Sequence, residues 1–248
     1  MIPVPSARVT DAVVLAAGNG DRFLNGTHHS KLLQPVLGEP LIVRTLTTAA
    51  EAGVTRFRVV LGYEADEVRA AVERGLPGGA SVGFTHNPEW HLENGVSALA
   101  ARAFFTDRHF ALLMGDHLFE PAVLASLLRA DLQPQESMLA VDPRPAAPEI
   151  AAEATRVRLS GDRITAIGKD LHPYDALDTG LFVCAPALFD ALEAARAAGD
   201  TTLSGGIRRL AEQGLMRAHE VGNAVWYDID TIADLESAVA LVGEPETA

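Results

Sequence analysis

The sequence lacks most of the features that mark a secreted, fibrous or membrane protein. It has a single cysteine, 6% aromatic residues, and no stretch of about 18 uncharged apolar residues such as a membrane-spanning helix requires. Its first residues do not form the basic and apolar regions of a signal peptide. Cys184 lies in an apolar run and has no second cysteine to pair with, as is typical of a small buried residue in a reducing compartment. We therefore expect a cytoplasmic protein with no membrane segment.

Basic residues are also scarce. The chain carries 20 lysines and arginines against 33 acidic residues, which gives a formal net charge of −13. A surface of that sign repels phosphate backbones and anionic lipids, so we expect no nucleic-acid partner. With 248 residues, 48% of them hydrophobic and 21% charged, the chain can bury a large core in one domain.

Short apolar segments alternate with helical patterns through the first half of the chain. This alternation is typical of a parallel sheet with helices on both faces. The pattern predicts strands at residues 12–16, 56–61, 82–86, 110–114 and 137–141. It predicts helices at residues 40–52, 67–74, 95–105 and 121–130. The expected fold class is α/β, with a Rossmann-like, mostly parallel sheet covered by helices on both faces.

After residue 142 the pattern becomes less regular. Three prolines mark a loop, and residues 155–160 and 163–168 flank Gly161-Asp162 as a predicted hairpin. A strand at 177–185, helices at 187–198 and 207–213, a strand ending at Asp228 and a final helix at about 232–242 follow. The economical interpretation is one domain over residues 1–248 with a small β-rich inserted lobe.

A glycine-containing segment follows the first predicted strand. In Leu15-Ala-Ala-Gly-Asn-Gly-Asp-Arg22 the small residues let backbone N–H groups approach a polyanion. The dinucleotide-binding fingerprint fails because its third glycine falls at Phe23, and the absence of a following Gly-Lys-Ser/Thr excludes a Walker loop. An ordinary glycine turn is the alternative. Against it stand two nearby cations in an acidic chain, Arg22 and Lys31, joined by a polar connection that we expect to be flexible.

Two predicted strands end in carboxylates. Leu112-Leu-Met-Gly-Asp-His117 places Asp116 at the C-terminal end of a strand, where open α/β folds bind their ligands. Trp226-Tyr-Asp-Ile-Asp-Thr231 places Asp228 and Asp230 at the end of a later strand. Mg²⁺ takes oxygen ligands, commonly one or two carboxylates. Asp116 with Asp228 or Asp230 is therefore a candidate Mg²⁺ site, although Asp230 also fits a helix cap.

These segments resemble a known family. Leu15-Ala-Ala-Gly-x-Gly-x-Arg22, Lys31 and Gly38-x-Pro40-Leu41 are similar to the N-terminal signature of the MobA-like nucleotidyltransferases, which activate sugar phosphates and related alcohol phosphates. The resemblance implies that Arg22 and Lys31 neutralise the triphosphate of an NTP and act with Asp116 in catalysis. It also implies that a loop wraps the triphosphate. This loop consists of Leu15, Ala16, Ala17, Gly18, Asn19 and Gly20. Both Asp228 and Asp230 stay open as metal ligands.

Further motifs are similar to the branch of this family that makes CDP-inositol from inositol 1-phosphate. They are Asn87-Pro-Glu-Trp90, Glu93-Asn-Gly-Val-Ser97, Met114-Gly-Asp-His117, Ile167-Gly-Lys-Asp-Leu171, Tyr174-Asp-Ala-Leu-Asp-Thr-Gly-Leu-Phe182 and Trp226-Tyr-Asp-Ile-Asp-Thr231. The resemblance implies a base pocket lined by Asn94, Gly95 and Ser97. It implies an acceptor site in which Lys169 holds the phosphate and Asp178 the hydroxyl groups. From the residues alone, Asn94 fits a helix N-cap and Lys169 a surface lysine equally well.

The resemblance implies a nucleotidyltransferase that joins an NTP, with CTP expected, to a small phosphorylated alcohol such as inositol 1-phosphate and releases pyrophosphate. Mg²⁺ is the expected cofactor. The nucleotide-binding half is expected at about residues 10–142 and the acceptor-binding half at about 143–242. A phosphonate or a sugar 1-phosphate is the alternative acceptor, and a catalytically silent nucleotide-binding module is the alternative that is not an enzyme. Many relatives carry a fused membrane transferase, so we expect any later transfer to belong to a separate chain.

Overall fold

The computed structural model describes residues 8–20, 30–145 and 154–229, together with Thr231 and Asp234. The strands are β1 (Asp11–Ala16), β2 (Pro35–Val36), β3 (Glu39–Pro40), β4 (Arg56–Leu61), β5 (Ser81–His86), β6 (Phe110–Met114), β7 (His117–Phe119), β8 (Ser137–Asp142), β9 (Arg156–Ser160), β10 (Arg163–Gly168), β11 (Ala176–Cys184), β12 (Met216–Glu220) and β13 (Trp226–Asp228). The α-helices are α1 (Leu41–Ala52), α2 (Ala65–Gly75), α3 (Asn94–Leu99), α4 (Pro121–Leu127), α5 (Ala187–Ala197) and α6 (Leu203–Glu212), and 3₁₀ turns span Lys31–Leu33 and Arg102–Phe104. No helix within these residues has the length and apolar character to cross a bilayer.

Nine strands form one sheet in the order β5-β4-β1-β6-β11-β8-β12-β10-β9. The first four are parallel to one another, so their carboxyl ends meet at one edge, here called the C-terminal edge. β11 runs antiparallel to its neighbours β6 and β8, which brings its amino end to the same edge. Two short ribbons, β7–β13 and β2–β3, lie outside this sheet. The topology therefore collects distant parts of the sequence at the C-terminal edge.

Helices cover both faces of the sheet. α1, α2 and α4 pack on one face around Leu46, Val68 and Leu124, and α5 and α6 pack on the other around Leu192 and Ile207. β1 faces both layers, which is why all six of its residues are buried. The predicted α/β fold is confirmed. The sheet is parallel from β5 to β6 and mixed beyond, and the predicted β-rich lobe is a hairpin, β9–β10, that extends this same sheet.

The five strands predicted for the first half are present, each within about one residue of its expected bounds. Two helices differ. The helix predicted at 95–105 ends at Leu99, and the helix predicted at 207–213 begins at Leu203 because the hydroxyl of Thr202 caps it, accepting the N–H of Gly205 at 3.0 Å. Glycines inside α6 disfavour a helix locally, but a Cβ at Gly206 would lie 2.6 Å from Leu192, so close packing of α5 on α6 requires glycine. The final predicted helix lies outside the described residues.

Candidate active site

The predicted nucleotide-binding loop passes from the core to the surface at the C-terminal edge. Its first three residues are buried and its last three are exposed or half-buried: Leu15, Ala16, Ala17, Gly18, Asn19 and Gly20. Gly20 has a φ of +65°, and a Cβ there would lie 3.0 Å from Cγ of Lys31, so the loop contacts this lysine only because position 20 is glycine. No described atom lies within 4 Å of a Cβ built at Gly18. Arg22 lies outside the described residues.

Lys31 is buried at the C-terminal edge and contacts both predicted metal-binding segments. Its Nζ lies 2.7 Å from Oδ2 of Asp116 and donates a hydrogen bond to the carbonyl of Ile229 at 3.0 Å. Only 9% of the residue is exposed. The residue before it is anchored, because the N–H of Ser30 donates to the carboxylate of Glu64 at 2.7 Å. The connection that we expect to be flexible lies outside the described residues.

The segments that carry the predicted metal ligands meet as a two-stranded ribbon. β7 and β13 pair with His117 opposite Asp228, and the N–H of Ile229 donates to the carbonyl of Asp116 at 3.3 Å. Because residues 116 and 229 share this hydrogen bond, His117 and Asp228 form a non-hydrogen-bonded pair, in which side chains approach most closely. Nε2 of His117 accordingly lies 3.3 Å from Oδ1 of Asp228.

His117 was given no role from the sequence, and the structure places it inside the cluster. Burial opposes protonation of its imidazole, but Asp228 and Asp116 outweigh this effect and raise the pKa of His117 to about 9. Gly180 makes room for the ring, because a Cβ there would overlap it. A histidine directly after a strand-end aspartate was the only signal in the sequence, and by itself it does not distinguish a functional residue from an ordinary buried one.

These residues suit a divalent cation. Ligand atoms of Asp116, His117 and Asp228 all lie within 4.8 Å of one another. Two carboxylates beside the predicted nucleotide-binding loop match the oxygen ligands that Mg²⁺ prefers, and the imidazole of His117 faces the carboxylate of Asp228. The structure brings Asp228, the first of the two candidates, to Asp116. Asp230 lies outside the described residues.

Asp178 lies near this cluster, close to the amino end of β11. The pairing of β11 with β8 is irregular after Asp178, and its Oδ1 accepts the N–H of Gly180 at 2.8 Å. Burial raises the pKa of Asp178 to about 6, although the Gly180 N–H and the charge of His117 act in the opposite direction. One carboxylate oxygen is thus used by the bulge itself.

Lys169 is exposed in the turn after β10. The register relates it to Asp178, because Arg156 of β9 lies opposite both Gly168 of β10 and Leu177 of β11. Two strand spacings amount to roughly 10 Å. The backbones of the two predicted acceptor residues, Lys169 and Asp178, therefore lie in the same region but not in direct contact.

The predicted base-pocket residues lie in the first turns of α3. Oδ1 of Asn94 accepts the N–H of Leu203 at 2.9 Å, so this side chain caps α6 and not its own helix. A Cβ at Gly95 would lie 2.6 Å from the backbone that precedes α6. Ser97 is buried, and its hydroxyl accepts a hydrogen bond from Asn87 at 3.0 Å. All three residues make contacts within the protein, and their part in base binding stays a prediction.

The fold is of the α/β class, and the candidate residues lie at the C-terminal edge of its parallel strands, where open α/β folds bind their ligands. Four of the eight neighbouring strand pairs are parallel, so the sheet is mixed and not mostly parallel as predicted. Residues 12–220 match the family described as the MobA-like NTP transferase domain. The chain therefore belongs to the MobA-like NTP transferase family, and the resemblance drawn from the sequence is confirmed.

The chain is similar to several individual proteins of known name over most of its length. The chain is 38% identical over 236 residues to the bifunctional IPC transferase and DIPP synthase of Rubrobacter xylanophilus, a match that covers 93% of this chain and 51% of the relative. It is 31% identical over 253 residues to the CMP-5'-(3-aminopropyl)phosphonate synthase of Streptomyces rubellomurinus, covering 94% of this chain and 39% of that one. The solved structure of the inositol-1-phosphate CTP transferase from T. maritima has a TM-score of 0.84 at 25% identity and covers 96% of both chains. The chain spans about half the length of the bifunctional relatives that it matches.

The chain has two lysines, Lys31 and Lys169, which allow a matched test. Lys31→Met retains side-chain volume but leaves the carboxylate of Asp116 without its buried cation, so we expect a lower Tm and a kcat/KM reduced by roughly 100-fold or more. Lys169→Met removes an exposed charge and should shift Tm by no more than about 1 °C while raising the KM for the acceptor. Thermal unfolding and pyrophosphate release measure both. A wild-type Tm for Lys31→Met would contradict the buried pair.

The raised pKa of Asp178 predicts a pH-dependent cost to stability. Its protonated form is favoured by folding, so the ionised form destabilises the protein increasingly as the pH rises from the ordinary carboxyl range through about 6. Asp178→Asn should therefore raise the Tm of the metal-free protein more at about pH 8 than at about pH 5. Asp170→Asn, at an exposed turn position, is the control and should show no such difference. An equal gain in Tm at both pH values for Asp178→Asn would contradict a destabilising, buried carboxylate at this position.

Proposed function

We propose that the protein is a CTP-dependent nucleotidyltransferase that acts on a small phosphorylated alcohol, with inositol 1-phosphate as the first candidate. An oxygen of the acceptor phosphate attacks the α-phosphorus of CTP in line. The new P–O bond forms as the bond between the α-phosphorus and its bridging oxygen breaks, and pyrophosphate leaves. Because the nucleophile is already an anion near neutral pH, no general base is required.

The convergence of Lys31, Asp116 and Asp228 beside the glycine loop carries this proposal. A reaction between two anions requires fixed positive charge and a rigid arrangement more than it requires proton transfer. Lys31 is buried and held by two partners, so it presents a fixed charge. Arg22 is the proposed second cation, and the backbone from Leu15 to Gly20 is proposed to bind the triphosphate.

Asp116 and Asp228 are proposed to hold Mg²⁺, with Asp230 as the alternative to Asp228. When bound, Mg²⁺ stabilises negative charge on the reacting phosphoryl oxygens. Lys31 contacts the carboxylate of Asp116 and the backbone next to Asp228, and it thereby fixes the separation of the two segments. His117 orients the carboxylate of Asp228 through Nε2.

The substrates are proposed to divide between the two halves of one domain, at about residues 10–142 and 143–242. Asn94, Gly95 and Ser97 are proposed to line the base pocket, and Lys169 to bind the acceptor phosphate. Asp178 is proposed to accept hydrogen bonds from acceptor hydroxyls through the oxygen that Gly180 does not use. This assignment rests on position and charge, since the carboxylate lies at the same edge as the metal ligands.

The choice of CTP rests on the relatives. The T. maritima structure is named as an inositol-1-phosphate CTP transferase, and the Streptomyces relative is named for a CMP product. Cytidine is common to both, whereas the acceptors differ. Inositol 1-phosphate is preferred because it offers hydroxyl groups to Asp178. The phosphonate relative, at 31% identity, supports a phosphonate as the second candidate.

We expect a matrix of four NTPs against phosphorylated polyols, sugar 1-phosphates and phosphonates, read by pyrophosphate release, to give the highest kcat/KM for CTP with inositol 1-phosphate. Asp178→Ala should reduce the preference for this polyol phosphate over a simple alkyl phosphate by roughly tenfold, because hydrogen bonds of ordinary strength to hydroxyl groups are lost. The Asp170→Ala variant, changed at an exposed position in the turn after β10, should keep the wild-type ranking.

Two outcomes of this matrix would contradict parts of the proposal. Turnover with a phosphonate alone, with an unchanged acceptor ranking in Asp178→Ala, would overturn the choice of acceptor and leave nucleotidyl transfer standing. Tight binding of CTP with no pyrophosphate from any pair would indicate a silent nucleotide-binding module instead of an enzyme.

A further inference from the structure

We propose that Thr45 of α1 is a positioning residue that holds the Gly115–His117 turn and so aims the carboxylate of Asp116. The inference rests on the proposed function in one respect, namely that Asp116 is a metal ligand. Thr45 touches neither the predicted substrates nor a metal ligand's side chain, and nothing in its local sequence sets it apart from the other residues of an amphipathic helix.

Thr45 is completely buried against the back of the turn. Its Oγ1 lies 3.1 Å from the carbonyl oxygen of Gly115 and 3.0 Å from that of His117. It also lies 3.1 Å from the carbonyl oxygen of Leu41, one turn earlier in the same helix. The contact with Leu41 is ordinary for a helical threonine. The contacts with Gly115 and His117, the two residues that flank Asp116, are unusual because they reach a different element.

The register of the ribbon explains why these carbonyls face the helix. The N–H of Ile229 donates to the carbonyl of Asp116, so the neighbouring carbonyl of His117 points away from β13. On the other side, the N–H of Gly115 donates to the carbonyl of Leu15 at 2.9 Å, which ties the turn to β1. Thr45 is the polar group of α1 that meets the two outward-facing carbonyls.

A buried carbonyl that loses its donor carries a desolvation cost, and two such carbonyls facing an apolar helix also repel each other. One hydroxyl proton shared among close acceptors reduces both effects. Without it, we expect the turn to rotate or separate from α1. The carboxylate of Asp116 would then shift relative to Asp228 and Lys31, although none of these three side chains has been changed.

The test uses Thr45→Val, which has almost the same shape without the hydroxyl, and Thr45→Ser, which keeps the hydroxyl. Ser137→Ala is the control. Ser137, the first residue of β8, is also completely buried, and its hydroxyl accepts the N–H of Ala185, away from Asp116 and Asp228. The readouts are Mn²⁺ affinity by electron paramagnetic resonance in the presence of CTP, amide hydrogen exchange at residues 115–118, and kcat.

We expect Thr45→Val to weaken Mn²⁺ binding by roughly tenfold and to speed exchange at residues 115–118, with a similar fall in kcat. Thr45→Ser should stay within about twofold of wild type in all three, and Ser137→Ala should lower Tm while leaving Mn²⁺ affinity unchanged. If Thr45→Val does not fold, Thr45→Ala is measured in its place, with the same expectation for Mn²⁺ affinity.

Wild-type Mn²⁺ affinity in folded Thr45→Val or Thr45→Ala would overturn the proposal. So would an equal loss in Thr45→Ser, because the methyl group and not the hydroxyl would then be responsible. Failure of the proposed function is a separate outcome: wild-type protein would release no pyrophosphate with any substrate pair, while the comparison of Mn²⁺ affinity and hydrogen exchange would still decide the role of Thr45.

Discussion

The site depends on one buried ammonium group. Nζ of Lys31 lies between the carboxylate of Asp116 and the carbonyl of Ile229, and so joins the end of β6 to the end of β13. A buried cation is stable only with such partners, and the partners in turn repel one another without it. This mutual requirement explains why the 3₁₀ turn at Lys31–Leu33, the Gly115–His117 turn and the ribbon β7–β13 meet beside the predicted nucleotide-binding loop.

The direction of β11 is the second constraint on the site. A fully parallel sheet would have placed the amino end of that strand on the opposite edge, away from the metal ligands. Because β11 runs antiparallel to β6, Asp178 comes to the C-terminal edge instead. Gly180 then leaves the space that the ring of His117 occupies. The mixed half of the sheet therefore supplies the predicted acceptor side of the site, and the parallel half supplies the predicted nucleotide side.

The sequence allowed much of this to be predicted, for physical reasons that differ between residues. Buried strands of a parallel sheet are apolar runs, so their bounds and their terminal carboxylates, including Asp116, followed from local pattern. The burial of Lys31 did not, because it depends on anchoring by Glu64, a residue distant in sequence. The contact of Thr45 with the turn and the capping of α6 by Asn94 also arise only from tertiary register. Family resemblance supplied the roles of the acceptor residues, which no local pattern contains.

The central claim is that Asp116 and Asp228 act as one unit, and a double-mutant cycle tests it most directly. kcat/KM for CTP and inositol 1-phosphate is measured for Asp116→Asn, Asp228→Asn and the double variant. If both carboxylates hold one ion, each single change should cost roughly a thousandfold and the double change little more, since either loss already disables the site. Near-wild-type activity in Asp228→Asn, or losses that simply multiply in the double variant, would contradict the account.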